Sequence, residues 1–409
     1  MSALEPPGGA PGGSAARPDA IRRHNLALIL GHIHRDGALT RAELTSRLGV
    51  SRSTVGALVA DLTSLGLVEE SVPTGGARVG RPSHVVGPHS AGPFVVGVDV
   101  DVTHVTSAGI GIGGEVLGRS TVPIGPGRPR PERVVDLVAD AVAALVAGCA
   151  RPVLAVGVSV PGTVDRRTRA VGVAPNLEWR DVPLRDLLSE RLGKRLGSVL
   201  PVWIGNDADL SVLAELSRGN ARDCRDVVYL IGRTGVGAGV VVNGAPLMGR
   251  DGRAGEVGHN VVDTNGPECH CGKRGCLETF IGDQALLALA GRDVPPTEAN
   301  VEAVLADARA GDERALSAVR TVAAWLGQAL GNLANTLDPQ RVILGGSLSA
   351  VLELARPDIE RALEHYAFDP HHPVELTLPR FGADSALLGA AELAFSEVLE
   401  DPYLAATVP

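Results

Sequence analysis

Leu26, Ile29, Leu30 and Ile33 repeat at the i, i+3, i+4, i+7 spacing of one helical face, and Gly37 closes that run. Thr40-Arg41-Ala42-Glu43 is a capping box, so a second helix starts near Arg41 and stops before Gly49. Ser51 is an N-cap for a third helix, with Val50 and Val55 as its hydrophobic staple and Val55, Leu58, Val59 and Leu62 on its inner face. Two short helices joined by a tight glycine-containing turn form the helix-turn-helix pattern. Arg52, Ser53 and Thr54 then stand at the exposed start of the reading helix. Past Gly66, Leu67-Val68-Glu69 and Ser83-His84-Val85-Val86 predict a paired β-wing. Arg78 and Arg81 lie between these runs, and Arg81 is on an extended backbone suited to an A·T-rich minor groove. A three-helix dimerisation bundle shares the helical spacing. Caps, staple and wing together favour DNA binding.

From Phe94 the periodicity changes. Val95, Val96, Val98 and Val100 surround Gly97 in a strand; Val102 to Ile112 and Glu115 to Val122 read as a second and a third. A helix over 131–148 precedes the apolar strand Val153 to Val160. A strand at Pro201 to Ile204 runs into a helix near Asp207, and Val227 to Ile231 begins another set. Helices at about 278–290, 312–337 and 384–397 alternate with the strand Arg341 to Leu344. Antiparallel starts followed by strand–helix alternation imply a mixed α/β body of two lobes, with a ligand cleft between them.

Composition narrows the function. With 44% apolar residues the chain can bury a sizeable core, but aromatics are only 3%, so Val, Leu and Ala must fill it. No apolar run is long enough to span a membrane and no secretory signal is visible, so a cytoplasmic protein is expected. The net charge of −9 argues against nucleic-acid binding over the whole surface. Residues 21–90 nevertheless carry a local balance of +3, as for a grafted DNA-binding module. The chain therefore divides into a Pro/Gly/Ala-rich tail (1–20), a winged helix-turn-helix (21–90), a ligand-binding body (91–398) and a C-terminal tail (399–409).

The densest chemistry lies in a loop over 259–278. His259, Cys269, Cys271 and Cys276 supply one imidazole and three thiolates, the ligand set of a closed tetrahedral Zn2+ site. Three of the five cysteines fall within eight residues, which makes chance clustering a poor explanation. Glu256 and Glu278 bracket the ligands, and a metal clip that fixes the loop fixes both carboxylates for gripping vicinal hydroxyls. A purely structural zinc knob would use the same four ligands. Elsewhere, Pro161-Gly162-Thr163 turns out of a strand, and Asn176 offers an amide in a loop. Asp207 opens a helix, where it reads either as the N-cap or as a general base.

Together these motifs resemble the ROK family of repressors, open reading frames and sugar kinases, over about residues 20–398. The resemblance implies a winged helix-turn-helix followed by a two-lobed actin/hexokinase-like domain, each lobe ribonuclease-H-like. It implies that His259, Cys269, Cys271 and Cys276 hold structural zinc. Asn206, Asp207, Glu256, His259 and Glu278 match sugar-binding positions, and Gly162 and Asn176 match weaker sugar contacts. Asp207 stands at the position of the kinase base.

The nucleotide side is divided. Where family kinases carry Asp-x-Gly-Gly-Thr-Lys, this chain has Asp99-Val100-Asp101-Val102-Thr103-His104. Both glycines are gone, and Asp101 sets a negative charge where phosphate oxygens would lie. Two like charges about 4 Å apart cost roughly 4 kcal/mol at an intermediate dielectric, part of which a bound Mg²⁺ would offset. Thr234, Gly235 and Gly237 keep the second phosphate motif, preceded by an unexplained Arg233, and Gly345-Gly346 match the adenosine-side turn. With Asp99 and Thr103 these are expected to be a vestigial nucleotide site with no catalytic residue. The expectation is a sugar-responsive transcription regulator that acts as a homodimer or homotetramer on a double-stranded operator. An ATP-dependent sugar kinase with an appended head, or a constitutive DNA binder with a vestigial pocket, are the rival readings.

Overall fold

The computed structural model describes residues 18–71, 84–125 and 129–407. The chain forms two compact units, the first running to Ala91 and taking in Glu397–Thr407 from the other end. This unit opens with α1 (Pro18–Asp36), which starts inside the expected tail and buries Leu26, Ile29, Leu30 and Ile33 completely. After β1 (Leu39–Thr40), α2 (Arg41–Leu48) begins on a complete capping box. The Glu43 N–H donates to Thr40 Oγ1 at 3.1 Å, and the Thr40 N–H donates to Glu43 Oε2 at 2.7 Å. Gly49 ends α2 with φ 66°, and α3 (Arg52–Ser64) follows with Ser51 as N-cap. β2 (Val68–Ser71) and β3 (Val85–Pro88) pair antiparallel with β1 on the far side of β3, which is the expected wing. Residues 397–407 belong to this unit, where a tail from 399 is expected. The Tyr403 hydroxyl donates to Asp61 on α3 at 3.4 Å, and Arg23 of α1 bonds Asp401 at 2.9 Å.

The second unit, Gly92–Ser396, is built twice on one plan. Its first sheet joins β4 (Phe94–Val100), β5 (His104–Gly111), β6 (Val116–Pro123), β7 (Val153–Val160) and β10 (Val202–Asn206), in the order β10-β7-β4-β5-β6. Its second sheet joins β11 (Val227–Gly232), β12 (Val236–Val242), β13 (Ala245–Pro246), β14 (Arg341–Gly346) and β15 (Glu375–Thr377), in the order β13-β12-β11-β14-β15. In each sheet three consecutive strands run antiparallel, and two later strands add parallel to the first. This duplicated plan is the two-lobed, ribonuclease-H-like architecture expected from the sequence.

Helices α4 (Pro131–Ala147) and α5 (Leu184–Leu196) cover the first sheet, with the ribbon β8 (Val171–Ala174) and β9 (Trp179–Val182) beside them. Helices α7 (Glu278–Ile281), α8 (Asp283–Leu289), α9 (Glu298–Arg309), α10 (Glu313–Leu337) and α11 (Ser347–Tyr366) cover the second. α6 (Asp207–Arg218) follows β10, and α12 (Ser385–Glu400) packs on β4 and β7. A Cβ at Gly157 would overlap the Ala390 carbonyl, so glycine lets α12 lie directly on the sheet.

Two expected elements differ, and three helices are added. The second strand starts at His104, because Asp101–Thr103 forms the turn into it: the Asp101 N–H bonds the His104 carbonyl at 2.9 Å. The helix expected over 278–290 breaks at Gly282, whose extended backbone (ψ 169°) ends α7 and caps α8. Helices α5, α9 and α11 are additional to the elements expected from the sequence.

Candidate functional site

The carboxyl ends of β4, β7, β10, β11 and β14 carry Asp99, Gly162, Asn206, Thr234 and Gly346 on or just beyond them, as parallel α/β sheets place ligands. β10 ends in Asn206 and α6 begins at once. Asn206, not Asp207, is the N-cap: its Oδ1 accepts from the N–H groups of Ala208 (2.9 Å) and Asp209 (3.1 Å). Its Nδ2 donates to the Gly162 carbonyl at 2.9 Å, tying β10 to the turn after β7. Gly162 has φ +106° and lies so close to Val173 and Ala174 that any side chain would collide with that backbone. Relieved of capping, Asp207 keeps one bond, from the Ala208 N–H at 2.9 Å.

A line of acids extends from this point. Burial pushes the Asp207 carboxyl up to about 6, with the charges of Asp99 and Asp101 adding and Arg233 opposing. Asp209, which sequence reasoning missed, is pushed up to about 7 by burial, then by Asp207 and Glu256. Glu256 is raised by burial and by Glu278. The signal for Asp209 was present in Asn206-Asp207-Ala208-Asp209, two acids in the first turn of one helix. Asn176, in the short turn Pro175–Leu177, approaches from another side. A Cβ built on Gly235 would sit 3.1 Å from both Asn176 Nδ2 and Glu278 Oε2, so Gly235 separates an amide from a carboxylate. The fold thus gathers Gly162, Asn176, Asn206, Asp207, Glu256 and Glu278 from segments far apart in sequence.

Glu278 also touches the candidate metal group. Its Oε1 accepts from Cys269 Sγ at 2.8 Å and lies 3.5 Å from His259 Nδ1 and 3.2 Å from His270 Nδ1. Ligand atoms of His259, Cys269, Cys271 and Cys276 all lie within 4.8 Å of one another. The His259 Nδ1–Cys269 Sγ and Cys271 Sγ–Cys276 Sγ distances are 3.7 and 3.6 Å. A tetrahedron with metal–sulfur bonds of about 2.3 Å has edges of about 3.7 Å, which these two distances match, so the four residues form a group of the size a zinc ion requires. His259, His270 and Glu278 form a second close group on the same loop.

Near Asp207, the groups on the nucleotide side are already committed to one another. The Thr103 N–H and hydroxyl donate to Asp101 Oδ1 at 3.1 and 3.3 Å, and Asp99 Oδ1 accepts from Ser159 at 2.8 Å. Arg233 Nη1 lies 3.4 Å from Asp99 Oδ2 and 3.6 Å from Asp101 Oδ2. Thr234 is exposed, Gly237 lies beside Asp207, and Gly346 turns out of β14 with φ +62°.

In the first unit Arg52, Ser53 and Thr54 are exposed at the start of α3. The Ser53 and Thr54 hydroxyls each lie 2.8 Å from Ser51 Oγ, so they share the N-cap while facing outward. Arg22, Arg41 and Arg47 are paired with Asp61, Glu70 and Asp36. Arg78 and Arg81 lie outside the described residues.

The model of the ROK family matches residues 95–397, and a model of the MarR family matches residues 27–78. A putative xylose repressor of Caldicellulosiruptor sp. (strain Rt8B.4) is 27% identical over 93% of this chain and 98% of its own length. A solved ROK family transcriptional regulator, a homologue of the E. coli MLC protein, superposes with a TM-score of 0.75 over 94% of this chain and 98% of its own, at 24% identity. A ROK family glucokinase from Streptomyces griseus, solved with glucose and AMPPNP, is 30% identical with a TM-score of 0.64, over 74% of this chain and 99% of its own.

Proposed function

Because the chain belongs to the ROK family and carries a winged helix-turn-helix ahead of that domain, we propose that it is a transcriptional repressor of carbohydrate-related genes, controlled by a sugar bound in a kinase-like cleft. The observation that carries this reading is the capped α3, with Arg52, Ser53 and Thr54 exposed, on the same chain as the gathered Asn206, Asp207, Glu256 and Glu278. A repressor relative matching 93% of the chain supports it. The sugar would bind one arrangement of the protein better than the other and so change operator affinity. Paired heads of a homodimer or homotetramer would read half-sites about one helical turn apart. The test is an operator-binding assay on DNA selected by the full-length protein, titrated with a panel of monosaccharides. Failure of every sugar to alter binding would leave the constitutive DNA binder as the better reading.

Arg52 is assigned to the DNA. Arg52→Ala should weaken operator binding by roughly 1–3 kcal/mol if it reads a base edge, or lower the salt slope by about 1 if it contacts phosphate. An unchanged affinity and slope in fluorescence anisotropy would remove Arg52 from the interface.

The sugar site is assigned to Gly162, Asn176, Asn206, Asp207, Glu256, His259 and Glu278, and Zn2+ to His259, Cys269, Cys271 and Cys276. The metal would do no chemistry; it would order the loop that carries Glu256 and Glu278. Kinase chemistry finds little support, because Asp101 uses the Thr103 N–H and Arg233 spans Asp99 and Asp101. Thr234, Gly235, Gly237, Gly345 and Gly346 remain as the outline of a nucleotide site.

A pH dependence follows from the raised carboxyls. A carboxyl raised in the folded state stabilises the protein below its unfolded value of about 4, and that contribution is lost as pH rises through the folded value. A sugar hydroxyl donated to ionised Asp207 favours the opposite state. Sugar affinity should therefore be greatest above pH 7 and fall by up to about tenfold per unit below about 6. Calorimetric titration between pH 5 and 8 measures this, and a flat profile would remove Asp207 from the contacts.

A further inference from the structure

The sequence leaves Arg233, in the turn between β11 and β12, without a role, and the structure supplies one. Its guanidinium bridges Asp99, at the end of β4, and Asp101, in the turn that follows. The carboxylate oxygens of Asp99 and Asp101 are then all engaged from within the chain. Asp99 Oδ1 takes the Ser159 hydroxyl and Asp101 Oδ1 takes Thr103, while both Oδ2 atoms face Arg233. Asp207 lies close enough for its charge to act on the same guanidinium, and Asp283, at the start of α8, adds a fourth carboxyl. Gly235, two residues beyond Arg233, separates Asn176 from Glu278, so the arginine borders the proposed sugar contacts.

A metal–nucleotide complex needs free backbone N–H groups for phosphate and carboxylates free to hold its cation. Here the Thr103 N–H is bonded internally and the two carboxylates already hold a cation of the protein's own. One guanidinium among Asp99, Asp101 and Asp207 leaves the corner with negative charge in excess, which disfavours a further anion and tolerates a neutral polyol.

Building on the proposed sugar-sensing cleft, we infer that Arg233 is a specificity-determining residue: a built-in counter-ion that occupies the phosphoryl end of the cleft in place of a divalent cation and so bars a metal–nucleotide complex, while the carboxylates left in excess around it disfavour sugar phosphates. Removing the guanidinium leaves facing carboxylates that suit a divalent cation.

The test compares the wild-type protein with Arg233→Gly, Arg233→Met and Arg233→Lys. Mn²⁺ binding is followed by electron paramagnetic resonance, and AMPPNP binding, with and without Mg²⁺, by calorimetry. The wild type and Arg233→Lys should bind neither, whereas Arg233→Gly should gain at least tenfold in Mn²⁺ affinity and a Mg²⁺-dependent nucleotide signal. Arg233→Met keeps the apolar stem and should gain Mn²⁺ binding if the glycine variant does not fold. Millimolar methylguanidinium should suppress the gain in either variant. Neutral monosaccharides and their 6-phosphates are compared on the wild type, where only the neutral forms should bind. The inference is overturned if the wild type binds AMPPNP or prefers a 6-phosphate, or if the folded glycine and methionine variants stay inert to Mn²⁺. Failure of the sugar-sensing reading looks different: no sugar alters operator binding, whatever the Mn²⁺ result.

Discussion

Asp207→Ala should abolish the sugar response and leave operator binding without sugar within about twofold of wild type. A hydrogen bond to a charged group contributes roughly 1.5–3 kcal/mol, which corresponds to about 10- to 150-fold in affinity. The side chain is free for this task because Asn206 supplies the N-cap of α6. The substitution therefore removes a ligand contact and not a cap, and the melting temperature should change little. Calorimetry against the best sugar of a panel, with anisotropy on operator DNA, measures both halves. Retained sugar affinity would remove Asp207 from the site, and lost DNA binding would mean that the residue acts on folding.

Cys276→Ser should have the largest effect on stability. Cys276 is fully buried and lies two residues before Glu278, the acid whose Oε1 also meets Cys269. Losing one of four ligands should release the metal, because a thiolate is replaced by a poor zinc ligand. Zinc content by atomic absorption should fall well below one per chain. A loss of about 3 kcal/mol in a domain of this size lowers Tm by roughly 5 °C. Sugar affinity should fall with it, because Glu278 loses its anchor, while DNA binding should persist longer. Full zinc content in the variant would contradict the four-ligand assignment, and an unchanged sugar affinity would uncouple the clip from the cleft.

The legible parts of this chain were those in which local chemistry decides local structure. The capping box at Thr40 and the N-cap at Ser51 are satisfied within a few residues, so α2 and α3 begin where the sequence places them. The four candidate metal ligands are brought together by one short loop, which made their grouping readable from spacing. Less legible were features settled by distant partners. Asn206 takes the cap that Asp207 was as well placed to hold, in part because its amide also reaches Gly162, 44 residues away. The break at Gly282 separates two helical turns that an apolar pattern joins. Arg233 gains its meaning only beside Asp99, 134 residues away, and Asp209 only where Glu256 folds against it. The C-terminal residues were expected as a tail, yet Tyr403 meets Asp61 on α3.

The most direct single measurement is the affinity of the zinc-loaded, full-length protein for its selected operator, titrated with neutral monosaccharides in parallel for wild type and Asp207→Ala. A change of tenfold or more in operator affinity at saturating concentration of one sugar, absent from the variant, is the expected result. An operator affinity indifferent to every sugar, or a wild-type protein that phosphorylates the sugar it binds, would contradict the assignment of this chain as a sugar-controlled repressor.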